Sequence, residues 1–244
     1  MTDRFHSGLL GDFHVHSRWS DDARSTIAEN IAAAAEVGLT ELRLVDHVRR
    51  STPWIPEFLA ELASQPRREG LIVYTGVEAK IVNSSGELDL PPDLTIGAGG
   101  VDAVVIADHQ FPGTDGPWSP QLAREKLANG LTPADATDLL IEALVSAMRS
   151  VDSAQLAHCF SILPKIGLDE DQLGDDQLEA WARTAAQTGT LIEVNEKWAC
   201  PSPRSIRAAL KAGATVVAST DSHHASEVGR YEQVREIFSQ VVEA

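Results

Sequence analysis

Five of the eight histidines in this chain lie at, or within three residues of, the end of a short apolar run, and a sixth, His16, follows one of them by two positions. The local sequences are Asp12-Phe13-His14-Val15-His16, Val45-Asp46-His47, Ala107-Asp108-His109, Leu156-Ala157-His158 and Ser219-Thr220-Asp221-Ser222-His223. Another run ends at Gly76-Val77-Glu78. Histidines placed without constraint would not mark the ends of successive strands. In an α/β barrel those ends meet at one mouth, where active sites are built. Imidazoles and carboxylates gathered there make a polynuclear metal site.

The runs themselves predict seven strands: Leu9–His16, Glu41–Asp46, Leu71–Glu78, Asp102–His109, Ala154–His158, Thr190–Asn195 and Thr215–Thr220. Stretches such as Ala103-Val104-Val105-Ile106 are apolar without alternation, as in strands covered on both faces. Helices fill the gaps. Ser25–Val37 is alanine-rich, with Ser25 or Thr26 as cap and Gly38 as stop. Thr132-Pro133 and Ser202-Pro203 pair a cap with a first-turn proline, for helices reaching about Arg149 and Gly213. Asp175–Thr188 and Ser226–Val242 complete the set. Strand–helix alternation means a mostly parallel α/β sheet, and seven strands with ligands at their ends favour a barrel over an open sheet. The Gly- and Pro-rich stretches Asn83–Gly100 and Phe111–Pro120 read as loops, the second expected to cover the mouth and contact substrate.

At 244 residues the chain is expected to form one domain, 1–244. No apolar run approaches bilayer length, and Met1-Thr2-Asp3-Arg4-Phe5-His6 lacks a signal-peptide core, so a cytoplasmic protein without a membrane partner is expected. A formal charge of −16 argues against a stable nucleic-acid partner, though bound divalent cations would reverse the local field for an anionic substrate. Cys159 and Cys200 make no disulfide framework, and Cys159 reads as a small buried residue.

His14 and His16 share a face at strand period two, so both imidazoles reach one ion or two adjacent ions. Asp221 and His223 end the last strand, which neighbours the first in a closed barrel. Glu78 can bridge two ions, as a neutral imidazole cannot. His109 and His158 offer further nitrogens, and Asp21, in the loop Ser20-Asp21-Asp22, can fold over the mouth. Asp46 either fixes an imidazole or caps a turn. Lys165 and Lys197 are weak candidates for gripping phosphate, against simple surface solvation. Trp118 and Trp198 either line a pocket or pack on loops. His224 reads as a solvated loop residue, and His6 carries no signal.

Taken in order, His14-Val15-His16 with Ser20-Asp21, Asp46-His47, Gly76-Val77-Glu78, His109, His158 and Ser219-Thr220-Asp221-Ser222-His223 resemble the polymerase and histidinol phosphatase (PHP) family. Glu78-Ala79-Lys80-Ile81 running into Gly86-Glu87-Leu88-Asp89 resembles its small stand-alone bacterial phosphatases. The resemblance implies a distorted (β/α)7 barrel with two or three divalent ions, zinc, manganese or iron, at the C-terminal mouth. One ion would take His14, His16, Glu78 and Asp221; a second would share Glu78 and add His109 and His158; a third would take Asp21, His47 and His223. Cys159 departs from the family, which commonly has proline there.

The activity implied is hydrolysis of a small phosphate monoester such as histidinol phosphate, a nucleotide or a sugar phosphate. A metal-bridging hydroxide would attack, with Glu78, Asp21 and Asp221 as catalytic carboxylates and Asp21 or Asp46 as the proton donor. Hydrolysis of an amide or lactone is the alternative, and a nuclease or a non-catalytic relative stands further off.

Overall fold

The computed structural model describes residues 9–242. The signal-peptide reading of the first six residues, with His6 among them, falls outside that range. Seven strands form one parallel sheet in chain order: β1 (Gly11–Val15), β2 (Glu41–Val48), β3 (Ile72–Lys80), β4 (Ala103–Ala107), β7 (Ala154–Leu156), β8 (Leu191–Asn195) and β9 (Val216–Ser219). The sheet curls until its edges meet. His16 N donates to Ser222 O at 2.9 Å, and Val15 bridges Ser222 in parallel. The result is the expected α/β barrel of seven strands, nearly closed.

Helices cover the outside: α1 (Ile27–Glu36), α2 (Ile55–Ala63), α3 (Pro120–Ala128), α4 (Pro133–Ser150), α5 (Ile162–Ile166), α6 (Asp175–Thr188), α7 (Pro203–Ala212) and α8 (Gln233–Val242). The cap signals hold. Thr26, Thr132 and Ser202 accept from the backbones of Glu29, Asp135 and Ser205, satisfying first-turn N–H groups that the helices leave open. The final helix begins at Gln233 rather than Ser226, because a 3-10 turn, Ala225–Glu227, precedes it.

Strand period separates two populations. Leu42, Leu44, Val77, Val104, Ile106, Ile192 and Val194 join the apolar layers beneath the helices. The other face lines the barrel. There Arg43, Val45 and His47 pair with Tyr74, Gly76 and Glu78 across β2 and β3. The barrel interior holds an apolar cluster, Val45, Val105, Ala107 and Ala157, together with buried polar side chains such as Arg43, Gln155 and Glu193.

The stretch Phe111–Pro120, expected as a loop over the mouth, is instead a hairpin of β5 (Phe111–Gly113) and β6 (Gly116–Trp118) running into α3. Phe111 and Trp118 stack at 5.5 Å and are buried in the main core. Burying two aromatic rings outweighs leaving this segment as a mobile cover. Trp118 therefore packs in the core and does not line the mouth.

Candidate metal centre

Glu78 is the hub. β3 delivers its carboxylate to the middle of the mouth, where the side chain is about 1% exposed. His109 Nε2 and His158 Nε2 lie 3.0 and 3.2 Å from Oε1. His47 Nδ1 lies 2.7 Å from Oε2, with His14 Nε2 and His16 Nε2 each at 3.5 Å. Yet among the described residues Oε2 has no well-aligned hydrogen-bond partner. His14 Nε2 and His16 Nε2 are themselves only 3.0 Å apart, and Asp221 Oδ1 is 3.3 Å from His16 Nε2. Atoms bound to one cation at roughly 2.0–2.2 Å stand about 3–3.5 Å from each other. A buried carboxylate oxygen facing converging ring nitrogens at that spacing fits divalent cations. Among the described residues, three overlapping donor groups satisfy the geometry: His14, His16 and Asp221; His47, Glu78 and His109; and His16, His47 and His223.

Each ring is held from behind. His14 Nδ1 donates to Glu193 Oε2 at 3.0 Å. His158 Nδ1 is 3.3 Å from Asp108 Oδ1, and Asp108 also accepts from Phe160 N and Ser161 Oγ. His16 Nδ1 meets Ser20 Oγ at 3.0 Å, and Ser20 donates to Asp46 Oδ1 at 2.7 Å. Asp46 thus steadies an imidazole through Ser20 and also ties down Ser17. Such partners fix which ring nitrogen is free. The backbone is bent to match: His158 and Asp221 have φ of 28° and 54°. Left-handed conformations cost of order 1–3 kcal/mol in residues with a Cβ, and they persist where surrounding bonds over-determine them.

Charge is unevenly distributed. Burial pushes Glu78 up, but His109 and His14 override it and hold the carboxyl well below its usual range. Burial likewise opposes protonation of His158, and Asp108 and Glu78 outweigh it, pushing the imidazole up to about 10. In His16 burial wins and lowers the ring to about 3. Neighbouring rings thus differ widely in their affinity for a proton.

A PHP domain model matches residues 12–197, most of the chain. The chain belongs to the PHP family. A probable phosphatase of Clostridium acetobutylicum is 25% identical over 246 residues, covering 95% of this chain and 86% of that one. One from Photobacterium profundum is 27% identical over 244 residues, covering 96% and 86%. A probable phosphatase of Vibrio parahaemolyticus is 37% identical over 106 residues, but this match spans only 41% of either chain. The fold is similar to that of histidinol phosphate phosphatase from Lactococcus lactis, solved with zinc, L-histidinol and phosphate. The TM-score is 0.58 at 14% identity, over 96% of this chain and 92% of that one.

The mouth of this PHP domain opens into a cavity of about 410 Å³. Its lining includes Asp21, His47, Glu78, His109, His158, Asp221 and His223. His14 and His16 lie fully buried beneath it. One position differs from expectation. Asp22, not Asp21, brings its carboxylate to the outer histidines, with Oδ2 3.3 Å from His223 Nε2 and 3.5 Å from His47 Nε2. Partial burial would raise Asp22, but His47 and His223 draw it below the usual carboxylate range.

Lys197 borders the cavity, with Nζ 3.3 Å from His223 Nδ1. Lys165 does not border it; its Nζ lies over the Trp198 ring at 3.7 Å. Trp198 does line the cavity and donates from Nε1 to Asp221 Oδ2 at 3.0 Å. Cys159 is buried, away from the cavity, and His224 is exposed with Nδ1 on Ser226. Glu193, Asp108, Arg49 and Lys80 were not among the expected site residues. Lys80 and Arg49 stand two positions beyond Glu78 and His47, so strand period was the signal that would have placed them at the mouth.

Proposed function

We propose that this chain is a metal-dependent phosphoesterase of small phosphate monoesters, holding two or three divalent cations. The observation that carries the reading is the placement of Glu78, one oxygen toward His109 and His158 and the other toward His14, His16 and His47. A carboxylate so placed would serve two cations, one through each oxygen. We assign His14, His16, Glu78 and Asp221 to one ion and Glu78, His109 and His158 to a second. His47, His223 and Asp22 serve a third, with Asp22 in the place expected for Asp21.

Bound divalent cations supply Lewis acidity toward phosphoryl oxygens and make water a competent nucleophile at neutral pH. The chain's own part is positioning and charge. Glu78 and Asp221 would hold the cations whose charge favours in-line displacement. Lys197, beside His223 on the cavity wall, is the side chain we assign to a phosphate oxygen. Asp46 is unsuited to protonating a leaving alkoxide, since both its oxygens are buried and accept from Ser17 and Ser20. Asp21, exposed on the cavity wall, is the carboxyl we assign to that proton transfer. The cavity suits a small substrate, with histidinol phosphate, nucleotides and sugar phosphates as candidates.

Metal analysis paired with a phosphate-release screen tests the reading. Zinc, manganese or iron should co-purify, and phosphate esters should be cleaved in preference to lactones and amides. His14→Ala and Asp221→Ala should abolish turnover and lower metal content. Full activity in both variants would reject the assignment.

A further inference from the structure

The polar structure of the barrel does not stop at the rings that face the mouth. Behind His14, a column of three buried side chains runs inward toward the opposite end of the barrel. Glu193 Oε2 accepts from His14 Nδ1 at 3.0 Å and from Gln155 Nε2 at 2.7 Å. Gln155 Nε2 also donates to Phe13 O at 3.1 Å, while its Oε1 accepts from Arg43 Nη1 at 2.5 Å. The Arg43 guanidinium lies over the rings of Phe13 and Tyr74, 5.3 and 5.8 Å from their centroids. Gly76 clears the path, since a Cβ there would come within 3.3 Å of Arg43 Cδ.

Arg43 is 7% exposed and, among the described residues, touches no carboxylate directly and leaves Nε without a hydrogen-bond partner. A buried cation so placed is costly, and an aliphatic residue would fill the space at less expense. The column supplies a reason for keeping it. Arginine only donates. That turns the Gln155 amide with its oxygen toward Arg43 and its nitrogen toward Glu193. Glu193, ionised, only accepts, so the proton between it and His14 must sit on Nδ1. Nε2 is then the nitrogen left to face His16, Glu78 and the cavity.

We infer that Arg43, Gln155 and Glu193 are positioning residues that lock His14 in the tautomer with Nδ1 protonated and so set the metal affinity of the mouth from inside the barrel. The inference rests on the metal reading of that mouth, and it adds residues that never touch substrate. It also explains why β8 ends without a cation-facing residue of its own: its carboxylate acts one layer deeper.

The test uses zinc-loaded protein with 15N-labelled histidine, together with zinc affinity measured by chelator competition. In the wild type, His14 should show a slowly exchanging proton on Nδ1 and zinc on Nε2. Glu193→Gln keeps the shape and loses the charge; Gln155→Leu cuts the column in the middle. Both should weaken zinc binding by about 10–100-fold, the range found for groups that orient metal ligands. Arg43→Met should do the same, and Arg43→Lys should recover part of the loss. A purely structural role would lower the melting temperature of the metal-free variants and leave zinc affinity unchanged. Wild-type affinity in both Glu193→Gln and Gln155→Leu, or His14 bound to zinc through Nδ1, would overturn the inference alone. A wild type that binds no zinc, manganese or iron would remove the metal reading and this inference together.

Discussion

At the scale of the residue, adjacent carboxylates in one loop reach different places. Ser17 O accepts from Ser20 N at 2.9 Å, and that turn carries Asp22, not Asp21, to His47 and His223. A loop has no period, so the sequence Ser20-Asp21-Asp22 offers no rule for choosing between neighbours. The choice has a measurable consequence. Asp22→Asn should reduce bound metal by part of the full complement and lower kcat/KM by about 10–100-fold or more. Asp21→Asn should keep the metal content and lower kcat through lost proton transfer, by roughly 100-fold. Metal counting on both variants separates them; loss of metal from the Asp21 variant instead would restore the assignment first read from sequence.

At the scale of the element, the hairpin after β4 is where tertiary packing overrode local signals. Prolines and glycines mark Phe111–Pro120 as irregular, and only the stacking of Phe111 on Trp118 makes it a core element. Gly113 is part of that packing: a Cβ there would fall 2.0 Å from Trp118 Cε2. Gly113→Ala should therefore destabilise the fold by roughly 1–3 kcal/mol, seen as a melting temperature lower by several degrees. The cavity wall after β4 includes His109 and Gln110 and none of the hairpin residues, so kcat/KM of the folded variant should stay close to wild type. A large loss of activity at normal stability would return the hairpin to the mouth. The seven strands and the histidines at their ends were legible because period and strand termini are local properties. Glu193, Gln155 and Arg43 were not, because their meaning lies in contacts across the barrel, and each reads singly as a polar interruption of an apolar run.

At the scale of the whole molecule, the raised proton affinity of His158 couples metal binding to stability and pH. His158 has its folded value raised to about 10 from 6.5 by Asp108 and Glu78, against the opposing pull of burial. A raised histidine stabilises the metal-free fold fully below its unfolded value, and that contribution is lost as pH climbs toward 10. Cation binding works in the opposite direction, because the imidazole must give up its proton to become a ligand. The stabilisation conferred by metal should therefore grow with pH. At a free ion concentration about 100 times Kd it amounts to roughly 2.7 kcal/mol, or about 5–10 °C in a chain of this size. Melting curves with and without chelator should differ by about that much near pH 8 and converge toward about pH 6, with proton release on metal addition visible as a buffer-dependent heat in calorimetry. A melting difference that widened on acidification would mean that the cations bind elsewhere than among these imidazoles.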